Sequence, residues 1–529
     1  MSPAPRRAKT KGHGRGARAL AVRPGAVRFP DDAAALLRAA ARDLPRPAYL
    51  VGGALRDAIL GRPTPDLDLA VRGARAGAAR LARRLRAAFV VLDAEAGTYR
   101  LALPVGLKKR RVRQIDLSEL QGDGIASDLG RRDFTVNALA LLLAPDLPAA
   151  VPAARLLDPR GGLEDLRRGR LRCEDEGILK ADPLRILRAF RLAAQLGFAI
   201  EPRTLRLLQR LRSRVRQPAA ERTAAELALL LAEPGCSRWV RAMEHTGVLT
   251  ALFDDLEPAR QCAQCYYGRG GVLGHTLEVV ARLDFLLANP ARAFPEAAGP
   301  LRKALGERLK AGHPWRAALM LAALLHDVSK PETARRRGGR LRFFGHDAAG
   351  AERASAILKA MRFPNETVDT VASVVAHHLR PGNLAAGGAL TDKAVYRFFR
   401  DLGAQAVAAL LVCWADHASY LPQRQLNRLL PVASADPDAC DMSRVRPWAA
   451  RKTLRHLQVI AQLLRRHFDT QRKAVPDRLV DGHDVMKALG IPPGPRVGEI
   501  LEQVREAQAE GRVATRRQAL DLVRRMPSH

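Results

Sequence analysis

LVGGALRDAILGRPTPDLDLA, Leu50 to Ala70, reads as a strand, a tight turn, a helix and a second strand. Gly52 and Gly53 mark the turn, and the apolar spacing from Ala54 to Leu60 is helical. Glycines between a strand and a helix leave backbone N–H groups uncovered, which suits an anionic ligand. Arg56 sits in the first turn of that helix, where it can hold a phosphate oxygen. After Pro63 and Pro65 the chain re-enters a strand. Strand side chains alternate, so Asp66 and Asp68 share one face while Leu67 and Leu69 enter the core. Two neighbouring carboxylates repel unless a cation lies between them. Oxygen-only ligands facing a phosphate-binding turn suit Mg²⁺, and the chemistry this points to is nucleotidyl transfer.

The remainder of the chain is long and basic. Its 529 residues suffice for three or four domains, and the apolar fraction of 47% is that of a globular protein. Lys and Arg exceed Asp and Glu by 88 to 54, a net +34. That excess implies a polyanionic partner, most plausibly nucleic acid, on top of a general Arg/Ala bias. No run reaches the roughly 18 apolar residues of a membrane span, so no membrane partner is expected. Six cysteines are too sparse for a disulfide framework, which fits a reducing, cytoplasmic setting. Cys262 and Cys265 form one CxxC without a second half, which reads first as a pair of free thiols, with a zinc site as the alternative.

Residues 1–28 carry eight Lys/Arg and no acid, a flexible basic arm without a secretory core. Helices are expected at 31–43 and 74–88, and strands at 89–93, 98–103 and 111–117. In the last strand Asp116 is either a third carboxylate near the metals or a surface acid. Next comes RRDFTVNAL, Arg131 to Leu139, with Arg132 and Asp133 at a helix start. Arg132 can meet a triphosphate, and Asp133 can accept from a ribose hydroxyl. In DPLRILRAFR, Asp182 to Arg191, Asp182 caps a helix with Pro183 at its first position. Asp182 and Arg185 share a helix face. Cytosine and adenine both present an amino group beside a bare ring nitrogen, so a carboxylate and a guanidinium together can read both. Arg188, one turn on, joins this nucleotide-binding set.

These motifs resemble class II tRNA nucleotidyltransferases (CCA-adding enzymes) and the related bacterial poly(A) polymerases. LVGGALRD…DLDLA is similar to their head signature and RRDFTVNAL to their second motif. DPRGGLEDL, from Asp158, resembles their third motif, a flexible joint leading out at Arg172. The family's Glu-Asp-x-x-Arg motif is met at Asp182 and Arg185, with Ala181 in place of the Glu. ERTAAEL at Glu221 is similar to the next neck segment, of structural or RNA-positioning character.

A second constellation lies between residues 275 and 417, which hold seven of the 13 histidines (275, 313, 326, 346, 377, 378 and 417). They fall on apolar helical stretches, suiting a bundle with inward ligands. Imidazole with carboxylate favours a transition metal, with Mg²⁺ or Mn²⁺ also open. The order resembles the HD superfamily of metal-dependent phosphohydrolases, which implies His275, His326, Asp327, His346, His377 or His378, and Asp416 as metal ligands. The tail resembles the C-terminal segment of HD-containing nucleotidyltransferases, and His483-Asp484 within it reads as a helix cap.

The expected architecture is therefore multidomain. A basic arm (1–30) precedes an α/β nucleotidyltransferase head of polymerase-beta-like type (31–171). A helical neck (172–260), an HD helical bundle (261–420) and a helical RNA-binding tail (421–529) follow. The resemblance implies addition of CMP and AMP from CTP and ATP to tRNA 3′ ends, complete or partial. Asp66, Asp68 and Asp116 would be catalytic and Asp66 and Asp68 would hold Mg²⁺. Gly52, Gly53, Arg56, Arg132, Asp133, Asp182, Arg185 and Arg188 would bind the nucleotide. Poly(A) polymerisation is the alternative. A further alternative is an HD phosphatase or phosphodiesterase that uses the head to bind RNA.

Overall fold

The computed structural model describes residues 26–527 except 105–110, 307–308, 310–311, 313, 387–389, 437–439, 441–444, 447, 449 and 470–474. Most of the basic arm and His313 thus lie outside the described residues. The chain divides into two compact units, 1–217 and 218–529. The segment read as one neck, 172–260, is split between them.

The first unit is built on a seven-stranded sheet. The strands from Ala26 to Leu157 are β1 (Ala26–Arg28), β2 (Ala48–Val51), β3 (Asp66–Val71), β4 (Ala88–Asp93), β5 (Thr98–Ala102), β6 (Gln114–Glu119), β7 (Ala140–Leu142), β8 (Ala150–Pro152) and β9 (Leu156–Leu157), and Arg170–Leu171 pairs farther on with Ala199–Ile200. The order is β4-β5-β6-β3-β2-β7-β9, while β1 pairs separately with β8. The last residues assigned to the arm, Ala26–Arg28, are therefore strand. Helices α1 (Asp31–Asp43), α2 (Gly52–Ile59) and α3 (Ala74–Leu85) follow the sequence pattern closely. The central pair β3 and β6 runs parallel, with Leu67 beside Ile115, Asp68 beside Asp116 and Leu69 beside Leu117. These four aliphatic residues are buried, and the alternation puts all the acids on the opposite face.

One stretch departs from its expected form. The helix anticipated after Asp133 is a single 3₁₀ turn, Thr135–Asn137, followed by β7. Leu139, Ala140 and Leu141 are fully buried. A short apolar run of this kind does not distinguish a buried strand from a buried helix by its periodicity.

The segment expected to be a flexible joint is tied down. The Asp158 carboxylate accepts from the backbone N–H of Gly162 (2.7 Å) and Leu163 (3.0 Å). Asp165, with no exposed side chain, accepts from Thr135 Oγ1 at 2.6 Å, Arg170 Nε at 2.6 Å and Arg172 Nε at 2.8 Å. Gly162 is required for close approach: a Cβ there would stand 2.2 Å from the Thr135 carbonyl oxygen.

The second unit is helical. Helices Gly271–Ala288, Trp315–Leu325, His346–Ala360, Asn365–His377 and Ala406–Ser419 form its bundle. Residues 392–419 are long and apolar enough to cross a membrane, yet 67% of the apolar window is buried within the protein. Trp414 and Leu410 are fully enclosed, so this stretch serves as core. The tail helices Gly482–Leu489, Pro495–Ala509 and Arg516–Arg524 close on their own cluster, centred on Val485, Ile500, Val504 and Val523. Asp481 caps the first of them reciprocally with Asp484, as expected for His483-Asp484.

Replacing Gly162 by Ala should lower stability by about 1–3 kcal/mol, because the added methyl meets backbone. An unchanged urea midpoint for this variant would show that the segment yields.

Candidate functional sites

In the head, α2 begins directly after β2, with Gly52 at φ +70°. A Cβ on Gly52 would lie 3.1 Å from Arg132 Nη1 and 3.3 Å from Asp68 Oδ2. Glycine therefore supplies both the backbone conformation and the room in which a cation and a carboxylate face one another. Arg132 is anchored through Nε and Nη2 to Asp128 (3.1 and 2.9 Å), and its Nη1 makes no hydrogen bond among the described residues. These groups line a cleft of about 470 Å³ together with Gly53, Asp116, Arg185 and Arg188.

The three acids differ in their surroundings. Burial, with Asp116 adding repulsion, pushes the Asp68 carboxyl up to about 6. Asp66 is raised for the same two reasons. Asp116 is held by Arg100 on the neighbouring strand, Nε to Oδ1 at 2.8 Å and Nη2 to Oδ2 at 2.7 Å. Among the described residues neither Asp66 nor Asp68 forms an ion pair, although Arg132 faces Asp68 across Gly52, and an oxygen-liganded divalent ion fits them.

Two of the expected nucleotide-binding residues are also tied to their neighbours. Arg56 is almost wholly buried; it donates to both oxygens of Asp57 (2.9 and 2.8 Å) and to Asn137 Oδ1 at 2.6 Å. It still lines the cleft, and these bonds brace the turn. Asp133 is also buried. It accepts from Asn137 Nδ2 (2.9 Å) and the Phe134 N–H (2.8 Å), and lies 3.5 Å from Arg188 Nη1. Burial opposes its ionisation, but Arg188, Asn137 and Arg185 outweigh it and hold its carboxyl below the usual range. Asp133 lines the cleft beside the arginines it pairs with. Asp182 accepts from the Leu184 N–H at 3.3 Å, consistent with a cap, and Arg185 reaches the carbonyls of Arg131 and Ile178, both at 3.0 Å. Asn137, Asp128 and Arg100 were not singled out from the sequence. For Arg100 the signal was available, since strand alternation places it opposite Asp116.

The histidine cluster is assembled around Asp327. His326 Nε2 lies 3.1 Å from Asp327 Oδ2 and His275 Nε2 3.6 Å from the same oxygen. Nε2 of His346 and His378 lie 3.5 and 3.9 Å from Oδ1. Asp416 Oδ1 is 3.1 Å from His275 Nε2. The donor atoms form two compact groups, His275 with His326 and Asp416, and Asp327 with His346 and His378. His377 is in neither group; its Nδ1 bonds to the Ser373 carbonyl. Adjacent helical residues point about 100° apart, so only one of the two histidines turns inward.

The chemistry of the donors fits a metal. Nδ1 of His326, His346 and His378 is hydrogen-bonded to the carbonyl three residues back, at 2.9, 2.6 and 2.7 Å. That fixes each proton on Nδ1 and turns the Nε2 lone pair inward. Nε2 of His275, His326 and His346, and Oδ1 of Asp327 and Asp416, are buried without a hydrogen bond. Burial, reinforced by His326, brings His378 down to about 4, so its ring is neutral at pH 7. Against the cost of burial, His326 and Lys330 keep Asp327 well below the carboxylate range. Lys330 donates to Asp327 Oδ2 at 2.6 Å and to Tyr267 Oη at 2.9 Å; neither Lys330 nor Tyr267 was foreseen as part of the site.

A carboxylate-bearing strand pair behind a glycine turn, with a separate histidine bundle, defines a nucleotidyltransferase head joined to an HD domain. Family profiles agree: "Poly A polymerase head domain" matches 48–172, "Probable RNA and SrmB- binding site of polymerase A" 197–260, "HD domain" 301–421 and tRNA nucleotidyltransferase domain 2 439–523. The A-adding tRNA nucleotidyltransferase of Deinococcus radiodurans is 32% identical over 91% of this chain and 96% of its own. The CC-adding enzyme of Thermus thermophilus is 33% identical over 90% and 92%. The chain belongs to the CCA-adding tRNA nucleotidyltransferase family. Its fold is similar to that of the Thermotoga maritima CCA-adding enzyme solved with tRNA, with TM-score 0.61, 21% identity, and coverage of 95% of this chain and 97% of that one.

Two measurements follow. Mg²⁺ affinity of the head should fall as pH drops through about 6, where Asp68 takes up its proton; calorimetry at pH 5 and 8 giving equal affinities would contradict this. Substituting His346 by Ala should remove metal from the bundle, by about 10-fold or more in affinity. His377→Ala should retain it, and metal analysis of the two purified variants distinguishes them.

Proposed function

We propose that this chain adds CMP or AMP to the 3′ end of tRNA from CTP or ATP, in the cytoplasm, and completes only part of the CCA sequence. Support for nucleotidyl transfer comes from one arrangement: Asp68 and Asp116 line the cleft, Asp66 shares their strand face, and Asp68 meets Arg132 Nη1 across Gly52. The two relatives of 32% and 33% identity each carry out one part of the sequence, A or CC addition, by their names, which supports partial addition here.

In this reading the tRNA 3′-hydroxyl oxygen bonds to the α-phosphorus. The bond from that phosphorus to the bridging oxygen breaks, pyrophosphate departs, and the hydroxyl proton passes to solvent. Mg²⁺ held by Asp66 and Asp68, with Asp116 at hand, would supply positive charge to the attacking and leaving oxygens. Arg132 holds triphosphate oxygen, and the Asp182–Arg185 pair with Arg188 reads the amino group and bare ring nitrogen shared by cytosine and adenine. The domain limits follow the same reading, with head, neck, HD bundle and RNA-binding tail as in the family.

For the second centre, the orphaned Nε2 and carboxylate oxygens of the bundle support a divalent transition metal, or Mg²⁺ or Mn²⁺, and phosphoester hydrolysis. There a water oxygen bonds to phosphorus, the ester P–O bond breaks, and the released oxygen takes the proton.

Purified protein with Mg²⁺ would be given tRNA ending at the discriminator base, at CC or at CCA, with CTP and ATP singly and together. A stop after two C residues, or extension by A only of the CC-ended tRNA, is the expected result. Three additions would make it a complete CCA-adding enzyme, and long A tails a poly(A) polymerase. Asp66→Ala/Asp68→Ala should reduce addition by at least about 10³-fold while leaving any hydrolysis at the bundle intact. Persistence of addition in that variant would refute the head assignment.

A further inference from the structure

Beside the histidine cluster stands a short hairpin, strands Arg335–Arg337 and Arg340–Arg342, turned by Gly338 and Gly339 at φ +56° and +75°. Its register pairs Arg335 with Arg342 and Arg337 with Arg340. Residues directly opposite share a face, so four guanidinium groups stand together on one side. Like charges in directly opposed positions destabilise a strand pair. Arg335 donates to the carbonyls of Glu332 and Ala334. The side chains of Arg337, Arg340 and Arg342 make no hydrogen bond or ion pair among the described residues. Arginine is abundant throughout the chain, but an unneutralised cluster of it on a two-stranded ribbon costs stability with no return inside the fold.

The hairpin borders a cavity of about 760 Å³ lined by Arg340, Arg342, Phe344, Tyr266, Lys330 and His346. His346 belongs to the metal-binding cluster, and Lys330 bonds to Asp327, so the cavity leads to the second centre. Phe344 is 70% exposed, a large ring offered to solvent next to the cations. Tyr266 fixes the hairpin, accepting from the Leu341 N–H at 3.0 Å and donating to the Leu341 carbonyl at 3.2 Å. Asp347 is the carboxylate that shares this lining.

We infer that the hairpin, with Phe344, is a binding site for single-stranded polynucleotide that delivers a strand end to the histidine cluster. Residues two apart on a strand are separated by about 7 Å, so the two arginine pairs form rungs too far apart for one phosphate. Successive phosphates of a strand fill both. An aromatic ring beside a cationic track suits base stacking without sequence preference. The substrate class is then an oligonucleotide carrying a terminal phosphoester, in preference to a mononucleotide. This rests on reading the cluster as a phosphohydrolase centre.

The test uses the full chain and R335Q/R337Q/R340Q/R342Q, whose exposed positions leave the core untouched. An eight-nucleotide oligouridylate ending in 4-thiouridine is crosslinked by light and the attached peptides are mapped. Attachment to peptides containing Tyr266 or Phe343–Phe344, lost in the variant, is expected. Attachment confined to other segments would overturn the inference. In parallel, Mn²⁺-loaded protein is assayed on p-nitrophenyl phosphate, 3′-uridine monophosphate and a 3′-phosphorylated octamer. The octamer KM should be about tenfold below that of the mononucleotide, and the variant should erase this gap with p-nitrophenyl phosphate turnover unchanged. Equal KM values in the unmodified protein would also overturn it. Absence of turnover on every substrate with Mg²⁺, Mn²⁺, Co²⁺ and Ni²⁺ would remove the phosphohydrolase reading alone, and the crosslink would still decide the hairpin.

Discussion

The pairing of Asp68 with Asp116 across two parallel strands sets the terms for everything around it. Unit charges about 5 Å apart repel by about 3 kcal/mol at an effective dielectric of about 20. A fold that stacks them must offset this from outside the strand pair. Arg100 does so for Asp116 by a two-point contact. Nothing comparable serves Asp68, whose carboxyl is left near 6. The imbalance is informative: one acid is neutralised by the protein, and the other two keep raised carboxyls that a cation would relieve.

The arginines of the cleft are organised by a second tier of carboxylates. Asp128 fixes Arg132, leaving one amino group free, and Asp133 holds Arg188 while Asn137 ties Asp133 to Arg56. Arg56 in turn belongs to the helix that starts at the glycine turn. The helix that starts at the turn is thus joined through Asn137 and Asp133 to Arg188, while Asp128 separately fixes Arg132. Such a network fixes geometry more than it adds stability, since charged groups lose hydration when buried.

The sequence disclosed the strands and helices of the head because their patterns are unambiguous. The alternation in DLDLA and the spacing in Asp31–Asp43 leave one solution each. It misjudged 134–142, where Leu139, Ala140 and Leu141 are buried in succession and the run lacks alternation. The site residues were legible as types but not as partners. Arg56 and Asp133 read as ligands for phosphate and ribose in a linear chain, and only the fold shows that Asp57, Asn137 and Arg188 also bond to them. The doublet His377-His378 could not be resolved from sequence, because helix phase is set by what packs against it. His378 is 1% exposed and faces Asp327. The hairpin escaped notice since an arginine run in a basic chain looks like composition until its register is known.

The substitution of Ala181 for an expected glutamate bears on how the base-reading pair is held. Ala181 ends the helix Glu176–Ala181 and is exposed, so a carboxylate there would act through water and be screened. Asp133, by contrast, is buried, and both Arg188 and Arg185 hold its carboxyl ionised. A negative charge at low dielectric orients nearby guanidinium groups far more strongly than one at the surface. A buried charge that pairs with Arg188, and whose ionisation Arg185 also favours, therefore comes from the RRDFTVNAL motif in the head. That charge does not depend on the residue preceding Asp182, so the alanine at 181 leaves it in place.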